Sequence, residues 1–170
     1  MSLIEFSTLL ANASLVLSLV VALVFGFFQA QAASRDRRER LTLETLRFMQ
    51  TREFAEFILF INACKIPRTE AERQARPEED KVRFIQFAQQ MESLGMLVVD
   101  GVLDLGLVEK SLGSFVITAW EAYKPVFTEM RVSTNDPYLG EYFQRMAELM
   151  DKRLKNQPRP PAYKAAWQAI

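Results

Sequence analysis

Residues 9–28 read LLANASLVLSLVVALVFGFF, and no charged residue occurs anywhere between Phe6 and Ser34. Wound as an α-helix, the stretch from Leu9 to Phe28 rises roughly 30 Å, the thickness of a bilayer's hydrocarbon core. A helix satisfies its own backbone N–H and C=O groups, which is the condition for crossing lipid. Asn12, Ser14 and Ser18 are the strongly polar groups in the run, and they can bond locally or to a neighbouring helix. The stretch therefore predicts one transmembrane helix, with a short outside N-terminus, over residues 1–34. Ala30-Gln31-Ala32 resembles a signal-peptidase site, but the run is preceded by Glu5 and by no Lys or Arg, and it is longer than a signal peptide's apolar region.

Flanking charge gives the direction. Arg35, Arg37, Arg38 and Arg40 follow the span directly, interleaved with Asp36 and Glu39. The excess of arginine on that side places it in the cytoplasm, with these arginines at the membrane surface among anionic headgroups. Within the span, Ser14, Ser18, Ala22, Gly26 and Ala30 recur every fourth residue. Such a ridge of small side chains lets two helices approach closely, and it predicts a contact face for a second copy or for another membrane subunit.

The rest of the chain reads as helices. Residues 35–50 form a juxtamembrane helix with Leu41, Leu43, Leu46, Phe48 and Met49 as an imperfect apolar stripe. Residues 51–155 form a bundle of about four helices. Thr51 opens the first, which carries Phe54, Phe57, Ile58 and Ile61, and Pro67 bounds it. Pro77 followed by Glu78, Glu79 and Asp80 opens the next, which runs to Asp100-Gly101. Another starts near Asp104 or Leu107, and Pro125 is expected to kink or divide it. Asp136-Pro137 signals the start of the last, through Phe143, Met146 and Leu154. No run alternates strictly, so strands are not expected and the fold class is all-α. Residues 156–170 form a tail stiffened by Pro158, Pro160 and Pro161, with Tyr163, Trp167 and Ile170 as an apolar contact. That contact has three candidate destinations: the bundle, the membrane surface or another subunit.

Composition narrows the chemistry. Lys and Arg balance Asp and Glu at 21 each, so no global field points to nucleic acid. Histidine is absent, which removes His-based triads, His general bases and most zinc sites. The single Cys64 cannot form an internal disulfide and reads as a small core residue. No phosphate-binding or nucleophile-elbow motif is present. These readings predict no catalytic residues, no metal site and no cofactor. Glu92 is the candidate that stands out, because it lies between Met91 and Leu94 on an apolar helix; Arg131 is its expected partner in a buried ion pair. Asp100 and Asp104 around Gly101 read as turn and cap residues rather than a cation site.

Phe87-x-x-x-x-Glu92-x-x-Gly95, Gly101-x-x-Asp104 and Trp120-x-x-x-x-Pro125-x-x-x-x-x-Arg131, within Phe87 to Met150, resemble the uncharacterised bacterial family named domain of unknown function 4760. The resemblance implies one N-terminal membrane helix and a helical domain, in the bacterial inner membrane, and no assigned reaction. The expected role is a single-pass accessory or scaffold subunit whose partners are membrane lipid and another subunit or itself. The alternatives are a small channel-like homo-oligomer lined by Asn12, Ser14 and Ser18, and a membrane-tethered enzyme using Glu92.

Overall fold

The computed structural model describes residues 3–63, 66–156 and 158. These residues form six helices and no strand, the all-α architecture expected from the pattern. In chain order the helices are α1 (Leu3–Phe48), α2 (Arg52–Ala63), α3 (Glu70–Gln74), α4 (Glu78–Val99), α5 (Leu105–Ser133) and α6 (Glu141–Asn156). They divide into two compact units, Met1–Arg40 and Leu41–Ile170.

The first unit is a single helix. Between Leu3 and Phe48 the sequence has no proline and one glycine, Gly26, so nothing interrupts the i to i−4 ladder. Every side chain from Ser14 to Arg38 is exposed, including Leu15, Val16, Leu23, Phe25 and Phe28. One helix among the described residues is thus long and apolar enough to cross a membrane. The juxtamembrane segment expected at 35–50 is the continuation of this same helix, and from Leu41 onward it belongs to the second unit.

The second unit is a helical bundle with an aromatic centre. α4, α5 and α6 supply Phe84, Phe87, Trp120, Tyr123, Phe127 and Phe143, all buried. Phe84 stacks on Tyr123 with ring centroids 4.4 Å apart, and Trp120 meets Phe143 edge-on at 5.3 Å. α2 adds Phe54 and Phe57, which reach Phe115 and Phe87 at 6.0 and 6.4 Å. From the end of α1, Thr42 and Leu46 are buried.

Helix ends follow local chemistry. The Thr51 hydroxyl accepts from the Phe54 N–H, Thr69 caps α3 through the Glu72 N–H, and Asp104 caps α5 through the Leu107 N–H at 2.9 Å. α4 stops in a Schellman turn: Gly101 has φ 71°, its N–H bonds the Val98 carbonyl, and the Val102 N–H bonds the Leu97 carbonyl. α5 ends the same way at Asn135, φ 54°. The division expected at Pro125 does not occur, because α5 runs unbroken from Leu105 to Ser133.

α4 and α6 approach each other closely at Gly95. A Cβ on Gly95 would overlap the backbone carbonyl of Tyr142, so only glycine lets the two helices meet there. Gly95→Ala should lower the unfolding free energy by roughly 1–3 kcal/mol or more in denaturant titrations of the full chain, as overpacking against rigid backbone does. Gly26→Ala, where a Cβ meets nothing within 4 Å, should leave it unchanged.

Candidate functional site

The sequence signs Asp136-Pro137 as the start of the last helix, but the chain first makes a turn there. The Asp136 carboxylate accepts from the Tyr138 N–H, and α6 begins at Glu141. Gly140 precedes it with φ 71°, a conformation open to glycine, and has no side chain to cap the first turn. The cap comes from α4 instead. Glu92 Oε1 accepts from the Tyr142 N–H at 3.1 Å, and Oε2 accepts from the Phe143 N–H at 2.9 Å. One carboxylate thus satisfies two of the four N–H groups that a helix start leaves unpaired, and its charge lies at the positive end of the helix dipole.

Arg131 serves the same junction from α5. Its Nε donates to the Leu139 carbonyl at 2.7 Å and its Nη1 to Gln144 Oε1 at 2.8 Å, with the guanidinium 5.9 Å over the Trp120 ring. The ion pair expected between Glu92 and Arg131 is therefore not the arrangement found: each group engages the segment 139–144 separately. Both oxygens of Glu92 are committed to backbone N–H groups, as a structural carboxylate requires.

A second polar cluster ties the end of α1 to the start of α5, and α5 to α6. The Asp104 N–H donates to the buried Thr42 hydroxyl at 2.8 Å. On the next turn Glu109, nearly fully buried, takes Arg153 of α6 at 2.8 Å. Sequence reasoning missed this pair. The available signal was Gly113, one turn after Glu109 on the same face, whose missing side chain makes room for the Glu109 methylenes. A third pair, Arg73 on Glu70, is bidentate at 2.7 and 2.6 Å, and it holds the Glu70 carboxyl below its ordinary pKa.

The small-residue face of α1, Ser14, Ser18, Ala22, Gly26 and Ala30, is exposed along its length. Arg35, Arg37, Arg38 and Arg40 are exposed beyond it, with Arg35 bonded to Glu39 at 3.0 Å. Cys64 and the tail contact of Tyr163, Trp167 and Ile170 lie outside the described residues. Among the described residues no group of His, Cys, Asp and Glu is placed to hold a metal ion. The cavity between Pro67, Arg73 and Phe84 measures about 10 Å³, room for one water at most.

An N-terminal helix of membrane-spanning length followed by a helical bundle is the class these features define. The sequence model of the family Domain of unknown function (DUF4760) matches residues 16–150, and the chain belongs to that family. No curated protein and no solved structure matches it. In the structure, the motif residues that carried the resemblance have fold-building positions: Glu92 caps α6, Gly95 admits it, Gly101 ends α4, Asp104 caps α5 and Arg131 holds the connection between α5 and α6.

Substitutions at Glu92 test the capping role, and one at Tyr123 tests a buried hydroxyl of the core. Glu92→Leu leaves the Tyr142 and Phe143 N–H groups unpaired and should destabilise the full chain by about 1–3 kcal/mol in denaturant titrations, with Glu92→Gln costing less because one acceptor remains. The Tyr123 hydroxyl is fully buried with no partner among the described residues, and burial pushes its pKa well up. Tyr123→Phe should therefore raise the unfolding free energy by about 1 kcal/mol, measured the same way. A loss would mean that the hydroxyl has a partner.

Proposed function

We propose that this protein is a single-pass accessory or scaffold subunit of the bacterial cytoplasmic membrane, with its N-terminus outside and its bundle in the cytoplasm. It acts by binding, through its membrane helix and a face of the bundle, rather than by catalysis. The observation that carries the reading is the exposed small-residue face of α1. Ser14, Ser18, Ala22, Gly26 and Ala30 leave the backbone approachable, and beyond the adjoining backbone of α1 itself no heavy atom stands within 4 Å of where a Gly26 side chain would begin. Lipid solvates leucine as well as a protein neighbour does, so association in a membrane favours faces where backbones come close. The excess of arginine after the span supports the direction, and the commitment of Glu92 to the α6 backbone supports binding over catalysis.

The test is the mass and composition of the complex solubilised in mild detergent. The wild-type chain is expected to run with a second copy or with another membrane protein. Ala22→Leu with Gly26→Leu should weaken that association by about tenfold, a modest loss of close packing. Assembly that survives both leucines removes the ridge as its basis.

A further inference from the structure

An open groove of about 320 Å³ lies between the last turn of α1 and α4, wholly within the second unit. Phe48 and Met49 of α1 and Leu94 and Leu97 of α4 give it apolar walls. Its polar lining is mostly glutamine, Gln90 included, and no residue lining it carries a charge, in a chain where 25% of residues do. Two needs are unmet there. Phe48 is 44% exposed, so water meets an apolar wall. Gln90 Oε1 is buried with no hydrogen-bond partner among the described residues, and an acceptor left without a donor away from water is costly. The Thr45 hydroxyl, which also lines the groove, donates instead to the Leu41 carbonyl at 2.9 Å.

These walls select an occupant by its chemistry. A charged group would lose hydration there and gain no counter-charge. A purely apolar one would cover Phe48 and leave Gln90 Oε1 unpaired. A water would bond Gln90 and leave the apolar walls wet. A carboxamide on an apolar body meets both needs: its N–H donates to Gln90 Oε1, and its carbonyl accepts from Gln90 Nε2. The pair forms whichever way the Gln90 amide is turned, because each amide is both donor and acceptor. Size points to a small molecule, since 320 Å³ lies at the lower end of the volumes, about 300–1,000 Å³, that hold small ligands.

We propose that this groove binds a small, uncharged carboxamide, its amide paired with Gln90 and its apolar body against Phe48, Met49 and Leu94. An occupant there touches α1 and α4 at once and braces the last turn of α1 against the bundle. The second unit thereby holds the end of α1 in a ligand-dependent way.

Titration of the full chain in detergent with benzamide, followed by NMR of methionine methyl groups, tests this. The Met49 methyl should shift and saturate at millimolar benzamide, an affinity within reach of a fragment of this size, while the fully buried Met91 and Met150 stay in place. N,N-dimethylbenzamide has the same ring and no N–H, and should bind roughly tenfold more weakly, the worth of one buried hydrogen bond. Benzoate, which brings a charge, should leave Met49 unmoved at the same concentrations. Gln90→Leu should lower benzamide affinity to that of the dimethyl compound while helical circular dichroism stays unchanged. No saturable shift at Met49, equal affinity for benzamide and its dimethyl form, binding of benzoate as tight as benzamide, or a benzamide affinity indifferent to Gln90→Leu would each overturn the proposal.

Discussion

Two hydrogen bonds accepted by one carboxylate hold the bundle in its arrangement. Glu92 projects from the middle of α4 and receives the Tyr142 and Phe143 N–H groups at the start of α6. Its charge and the helix dipole attract, and the two orphan donors gain partners away from bulk water. The bond needs the helices to be very close, and Gly95 one turn later allows it. Gly140, against the Phe127 ring, brings the chain into the turn, and Arg131 fixes the preceding carbonyl of Leu139. Once α6 is seated, Phe143, Met146 and Met150 are buried against the rings of α4 and α5. A fold organised in this way uses Glu92, Asp104 and Arg131 as scaffold.

The other unit obeys a different constraint. Leu15, Phe25, Phe27 and Phe28 each keep more than half of their surface exposed on α1. In water, apolar surface on this scale is unfavourable by roughly 25 cal/mol per Å². In lipid it is solvated, and the helix's closed backbone ladder meets the other requirement. The last turns of α1, from Leu41 onward, belong to the second unit and supply it with the buried Thr42 and Leu46.

Sequence made the local features legible and the distant ones not. The apolar run at residues 9–28, the Asp104 cap, the Gly101 stop and the Thr51 start depend on neighbours within a turn or two, and pattern reading reaches that far. α6 starts at Glu141 and not at Asp136-Pro137, because its cap stands about fifty residues earlier, on another helix. Glu92 and Arg131 serve one region without pairing: opposite charges suggest each other in the sequence, whereas backbone groups at a helix end compete equally well for both. Pro125 did not divide α5, since the apolar face running through Tyr123, Val126 and Phe127 is buried on both sides of it and outweighs one missing backbone bond. Glu109 with Arg153 escaped notice because nothing near Glu109 names a partner on a helix so much later in the chain.

The central claim, that Glu92 acts as the helix cap on which the bundle depends, can be measured directly by hydrogen exchange on the full chain. The Tyr142 and Phe143 amides, at the first turn of α6, should exchange as slowly as amides in the buried middle of α4, and Glu92→Gln should speed those two amides before any others. Fast exchange at Tyr142 and Phe143 in the wild-type chain, as in a frayed helix start bonded only to water, would contradict it.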